Sequence, residues 1–185
     1  MPFCGFANNW LLMRVLLDTE TTALYGAEIV GIAIVNPLGE PLLNTLIKPT
    51  IPIPSKARQI HGITDKRVAD VAAFPGIYPQ IAKVFKDKRI LIYNAEFDII
   101  ILNYCCELYN LSILKLQKRS EFLMEWAAQW RGDWSNNYKD YKYFPLPDGN
   151  HRALGDCIAA LELIKRIAAG PDRINCPVPI PEGNQ

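Results

Sequence analysis

The chain is short of the residues that several function classes require. Only two histidines, His61 and His151, occur among 185 residues. The five cysteines contain no CxxC pair, and their odd number and scattered spacing fit neither a disulfide framework nor a zinc site. A reducing cytoplasm is therefore the expected location. No run approaches the roughly 18 consecutive apolar residues that cross a bilayer. Met1 to Trp10 has no cationic segment ahead of an apolar run, and Leu11 to Leu17 is interrupted by Arg14. No signal peptide is read, and no membrane partner is expected. Charge of one sign is also missing: Lys plus Arg is 20 and Asp plus Glu is 19, a formal net charge of +1. That excludes a strongly basic coat for nucleic acid, while a locally basic cleft stays allowed.

What is present is ordinary globular material, 50% hydrophobic and 21% charged, in a length that suits one domain. The domain is read over residues 1–170. Gly170-Pro171 ends it, and residues 171–185 form a proline-rich tail.

Leu11 to Leu17 is an apolar run of strand length that closes in Asp18-Thr19-Glu20. Glu28 to Val35 is a second strand, and Asn36-Pro37-Leu38-Gly39 turns the chain into a third over Pro41 to Lys48. Short connections make these three an antiparallel meander. Pro49 to Asp70 reads as loop with short helical pieces. Pro75 to Lys88 has helical spacing, and Arg89 to Tyr93 is a buried strand. It leads into a helix over Glu96 to Leu108, with Phe97, Ile100, Ile101, Tyr104 and Leu108 as its apolar face. Ile113 to Leu116 is the candidate fifth strand, and Ser120 the candidate N-cap of a helix reaching Trp130. Arg131 to Asn150 is read as an aromatic and basic loop. The last helix spans Arg152 to Ala168, with Leu154, Cys157, Ile158, Leu161 and Ile164 facing inward. Strands first, then alternating helix and strand, predict an α/β fold with a mixed sheet flanked by helices.

Four acids lie at element ends, where open sheets build their sites. Asp18 and Glu20 share one face of the first strand and Thr19 takes the other, because strand side chains alternate. Asp98 lies in the first turn of the helix after the fourth strand, and Asp156 near the start of the last helix. Four carboxylates without cations would repel severely, whereas divalent ions cancel that charge. All-oxygen ligands favour Mg²⁺ or Mn²⁺, and a two-metal carboxylate cluster is a standard device for phosphodiester hydrolysis. Each acid alone has a blander reading as a solvated turn or a helix-start residue favoured by the dipole.

The same segments carry a family likeness. Asp18-Thr19-Glu20-Thr21-Thr22 resembles the first motif of the DnaQ-like 3′–5′ exonucleases, the DEDD group. Asn94-Ala95-Glu96-Phe97-Asp98 resembles their second motif. His151-Arg152-Ala153-Leu154-Gly155-Asp156 resembles the third, in the form with histidine five residues before aspartate. Ile60-His61-Gly62-Ile63-Thr64 is similar to a segment common between the first two. The likeness runs from Leu11 to Ala168. Two departures are Ala23, where glycine is frequent, and Ser120-Glu121-Phe122, where the family often has Asp-Thr.

The resemblance implies a ribonuclease-H-like fold, whose five-stranded sheet has its first three strands antiparallel. It implies two Mg²⁺ or Mn²⁺ ions held by Asp18, Glu20, Asp98 and Asp156, with Glu20 serving both and His151 as general base. Residues five apart on a helix diverge by about 140°, so His151 belongs in the loop ahead of the helix that carries Asp156. Thr19, Thr21, His61 and Asn94 are the expected substrate contacts, although His61 has an equal claim to a structural role in its loop. The expected activity is a 3′–5′ exonuclease on the 3′ end of single-stranded nucleic acid, DNA favoured over RNA, releasing nucleoside 5′-monophosphates. The alternatives are an RNA-trimming exoribonuclease, a polymerase proofreading subunit and, further off, a non-catalytic nucleic-acid-binding module. A polymerase or a second copy of the chain is a possible partner.

Overall fold

The computed structural model describes residues 13–170, so the tail and the first two residues of the expected first strand lie outside it. Five strands form one sheet: β1 (Arg14–Thr21), β2 (Ile29–Val35), β3 (Pro41–Leu46), β4 (Arg89–Ile92) and β5 (Ser120–Phe122). Their order is β3-β2-β1-β4-β5. β1 pairs antiparallel with β2 and β2 antiparallel with β3, while β1–β4 and β4–β5 are parallel. This is the mixed sheet expected, with its first three strands antiparallel.

Six helices complete the described chain: α1 (Ser55–His61), α2 (Asp65–Val68), α3 (Phe74–Phe85), α4 (Ala95–Leu108), α5 (Leu123–Arg131) and α6 (Ala153–Ala169). None is long and apolar enough to cross a membrane. Consecutive residues of β1 choose the layers. Leu17 joins Ile32, Ile34 and Ile92 in a core roofed by Phe74, Ile81 and Phe85 of α3 and by Ile101 and Leu102 of α4. Leu16 joins Ala33 and Leu91 on the other side, under Leu123 of α5 and Cys157 and Leu161 of α6. β2 is buried along its whole length because it is covered on both faces and has paired strands on both edges. A third cluster, Val30, Ile53, Ala57, Ile63 and Val68, seats α1 and α2 beside the end of β2.

Four expectations need correction. The fifth strand is Ser120–Phe122 and not Ile113–Leu116, where Leu116 instead opens a 3₁₀ turn. Ser120 therefore sits in a strand and caps nothing; α5 begins at Leu123, after Phe122. The segment 131–150 holds a two-stranded hairpin, β6 (Trp134–Ser135) against β7 (Asp140–Tyr141), fastened by an edge-to-face contact of Trp134 and Tyr141 at 5.2 Å. The fourth concerns helix faces. α4 buries Ala95, Asp98, Ile99, Ile101, Leu102, Cys105 and Cys106, leaving Ile100 and Leu108 exposed. On α6 Ile158 is likewise exposed, while Ala159, Ala160 and Leu163 are buried. In both helices alanines take part in the close approach to the sheet, which counting large apolar residues overlooks, while Cys157 is buried as expected.

The corrected face of α4 is testable with neighbouring residues. Ile101 is 0% and Ile100 55% exposed. Ile101→Ala should cost about 2–5 kcal/mol of unfolding free energy in a urea titration, and Ile100→Ala no more than about 0.5 kcal/mol.

Candidate active site

The parallel arrangement of β1 and β4 brings their C-terminal ends to one edge of the sheet. Asp18 and Glu20 continue the Leu16 side of β1, toward α6. There the first turn of α6 supplies Asp156. Carboxylate oxygens of Asp18, Glu20 and Asp156 all lie within 4.8 Å of one another. Thr19 continues the Leu17 side, and its hydroxyl donates to Asp98 Oδ1 at 2.7 Å. Asp98 thus enters from the opposite layer, around the end of the sheet, and is buried. Asp156 Oδ1 is steadied by the Asn150 amide at 2.7 Å. A register irregularity between Glu20 and Thr21 interrupts the ladder with β2 at this point, and pairing resumes at Thr21 with Ile29. Gly31 lies opposite Glu20, and a Cβ there would come 3.2 Å from Ile63 and 3.5 Å from Glu20 Cβ.

Electrostatics register the crowding. Burial raises Asp18 well above the usual carboxylate range, and the charges of Asp98, Asp156 and Glu20 push the same way. Burial brings Glu20 up to about 7; Asp156 adds to the rise and Arg152 opposes it. Asp98 also reaches about 7 through burial, against the pull of its Thr19 hydrogen bond. Glu20 Oε1 is buried with no hydrogen-bond partner. An orphaned carboxylate oxygen among other carboxylates fits a divalent cation, and oxygen-only ligation suits Mg²⁺ or Mn²⁺.

Beside the acids opens a cavity of about 560 Å³, in the range of small-ligand sites. Glu20, Thr19 and Thr21 form its floor. The exposed Leu24 and Tyr25 stand on one lip, Lys56 and Ile60 of α1 on the other, and His61 and His151 at the side. The two histidines differ. His61 is buried; its Nδ1 accepts the Ile63 amide at 3.0 Å, which places the proton on Nε2, 3.2 Å from the Thr21 carbonyl. Burial, aided by Arg152, lowers its pKa, so it is held neutral with both ring nitrogens engaged. His151 is exposed, sits ahead of α6 with a left-handed backbone (φ 53°), and reaches the cavity wall. Of the expected contacts, Thr19, Thr21 and His61 line the cavity. Asn94 does not: it is exposed ahead of α4, where its carbonyl accepts the Phe97 amide at 3.1 Å.

An exonuclease family model, RNase_T, matches residues 15–164. The chain belongs to this exonuclease family. Among similar proteins, the uncharacterised exonuclease CP81 of Escherichia phage 186 is 37% identical over 181 residues, 89% of this chain and 93% of the phage protein. The DNA polymerase III epsilon subunit of Pasteurella multocida is 32% identical over 111 residues, which span 54% of this chain and 44% of the subunit. In structure, exonuclease X in complex with 5′-overhanging duplex DNA is 29% identical with a TM-score of 0.58, covering 85% of this chain and 93% of that one. The ribonuclease-H-like fold and the DnaQ-like exonuclease relationship expected from the motifs both hold.

Sequence reasoning did not assign the lips, Leu24, Tyr25 and Ile60, because exposed apolar residues in a loop and on a short helix give no periodic signal. It passed over Arg152 as well, whose partners are distant in sequence.

The raised carboxyls make a pH prediction for the metal-free exonuclease. Between the ordinary carboxyl value of 4.5 and about 7 the folded state holds protons that the unfolded chain has released. Stability therefore falls as pH rises through that window. His61 works in the other direction, but three acids outweigh it. The melting temperature in chelator should drop from pH 5 to pH 7.5, and the drop should shrink in Asp18→Asn. Mg²⁺ or Mn²⁺ at pH 7.5 should restore it, since ligation requires ionised carboxylates. A melting temperature that climbs steadily over this range in chelator would contradict the site's electrostatics.

Proposed function

We propose that this exonuclease works in the 3′–5′ direction on DNA, favouring single-stranded 3′ ends and releasing nucleoside 5′-monophosphates. The observation that carries the reading is the convergence of Asp18, Glu20 and Asp156, with Asp98 behind them, beside a cavity that His151 lines. Asp18, Glu20, Asp98 and Asp156 would hold two divalent cations, Mg²⁺ or Mn²⁺, with Glu20 serving both. When bound, such ions supply Lewis acidity and cancel the negative charge gathered around a phosphodiester.

The chain's own residues do the rest. His151 takes the proton from the attacking water; its exposed imidazole, free of the ring bonds that fix His61, suits a group that must gain and lose a proton. Leu24, Tyr25 and Ile60 offer apolar and aromatic surface to the terminal base, and the ring of Tyr25 can stack on any base. The backbone around Thr19 to Thr21 meets the terminal sugar, and Lys56 offers a cation to a phosphate. His61 keeps the Thr21 carbonyl, and with it the floor, in place. The terminal pair of a duplex must first be opened, at a cost of a few kcal/mol, which favours single strands. The phage exonuclease, 93% of which this chain covers, supports the exonuclease reading; the DNA polymerase III epsilon subunit, covered over 44%, supports a polymerase-associated proofreading role as the second reading.

End-labelled oligonucleotides test the assignment. A 5′-labelled single strand should shorten one nucleotide at a time, whereas a 3′-labelled strand should release its label at once as mononucleotide. A matched RNA should be degraded more slowly, and circular single-stranded DNA should survive. Chelation should abolish turnover. Asp18→Asn should fold and be nearly inactive, and His151→Ala should lose ~10²–10⁴ in rate while still binding DNA. Cleavage of the circle that disappears in Asp18→Asn would overturn the exonuclease direction, and a larger rate loss in His61→Ala than in His151→Ala would overturn the choice of base.

A further inference from the structure

We infer that Arg152 is the positioning residue for His151: its guanidinium ties the arm carrying His151 to the turn that ends α1. The inference rests on His151 being the general base. Arg152 lies between His151 and the first residue of α6, at the joint where the chain leaves a left-handed conformation (φ 53°) to enter the helix. A non-glycine residue keeps such a backbone only when its surroundings hold it there. On one side the hold is visible at Asn150, whose backbone amide donates to Asp156 and whose side chain occupies the space over Gly155, where a Cβ would collide with Asn150 Oδ1.

Arg152 supplies the hold on the other side. Its Nη1 donates to the carbonyl of His61, 91 residues away in sequence, and at 3.1 Å to the carbonyl of His151 itself. One donor group thus bridges the carbonyls of the two histidines. The seat for the guanidinium is Gly62, which closes α1 at φ 64°. A Cβ on Gly62 would stand 2.9 Å from Arg152 Nη2 and 3.3 Å from Nη1. The bare backbone of that turn is what lets the planar fork approach. Because His61 is fixed through both ring nitrogens to Thr21 and Ile63, the turn is a rigid anchor connected to the floor of the cavity. The imidazole of His151 is exposed and makes no hydrogen bond of its own among the described residues, so its aim depends on its backbone.

A double-mutant cycle on the full chain with a single-stranded DNA oligonucleotide tests this. Arg152→Ala should lower kcat by about 10- to 100-fold with KM within about twofold, since a loosened base forfeits part of a ~10²–10⁴ contribution. In the His151→Ala background the same change should alter kcat by less than about twofold, because a positioning effect vanishes with the group positioned. Gly62→Ala, which displaces the guanidinium from the other side, should behave alike. Without metal, the Asn150 amide, which donates to Asp156, should exchange hydrogen faster in Arg152→Ala while the core amides of α6 keep their protection. If Arg152→Ala does not fold, Arg152→Lys, which keeps the charge but loses the fork, goes through the same cycle with a smaller loss expected. A loss that multiplies in the His151→Ala background, or that appears in KM, would show Arg152 acting on DNA or on the acids directly, and would overturn the inference while leaving His151 as base. Full activity of His151→Ala would overturn both.

Discussion

Like charges forced together out of water repel, and this chain forces them together at the end of β1. Asp18, Glu20 and Asp156 lie close enough for one cation to touch all three, and Asp98 stands behind them. Burial holds Asp18, Glu20 and Asp98 well above the ordinary carboxyl range, and repulsion from neighbouring carboxylates adds to the rise of Asp18 and Glu20. The surrounding architecture resists that repulsion. Two hydrophobic layers clamp β1 from both sides, and the acids come from different elements of both layers. No single element can move to relieve the crowding without uncovering a core.

The same constraint divides the work of the two histidines. His61 is inside the fold, neutral, and spends both ring nitrogens on backbone. It is part of the frame on which the cavity floor rests. His151 is outside, ahead of α6, held by its backbone and not by its ring. In the proposed mechanism His151 needs freedom at the imidazole and order at the main chain, and the contacts of Asn150 and Arg152 on either side supply that order.

Much of this was legible in the sequence, for identifiable reasons. Alternation along β1 put Asp18 and Glu20 on one face and Thr19 on the other, and the Thr19 bond to Asp98 follows from that split. The five-residue interval between His151 and Asp156 set His151 off the helix, as observed. Ser120 was misread because serine serves helix caps and strands alike, and a three-residue strand gives too little alternation to outweigh the cap. The face of α4 was misread because the small Ala95 belongs to it and because a buried carboxylate, Asp98, interrupts the apolar pattern. Asn94 was expected at the substrate through its place in a motif, yet it lies off the cavity wall. The His61 carbonyl that Arg152 reaches belongs to a turn brought near only by folding.

The proposed role of the repelling carboxylates is to seat divalent cations. Calorimetric titration of the metal-free exonuclease with Mn²⁺ near pH 7, repeated in buffers of different ionisation enthalpy, tests it most directly. Two ions should bind per chain, with protons released on binding, because Glu20 and Asp98, raised to about 7, are partly protonated there and must ionise to ligate. Asp18→Asn should weaken binding and reduce the proton release. Absence of Mn²⁺ binding at millimolar concentration, or binding whose heat is the same in every buffer, would contradict the account.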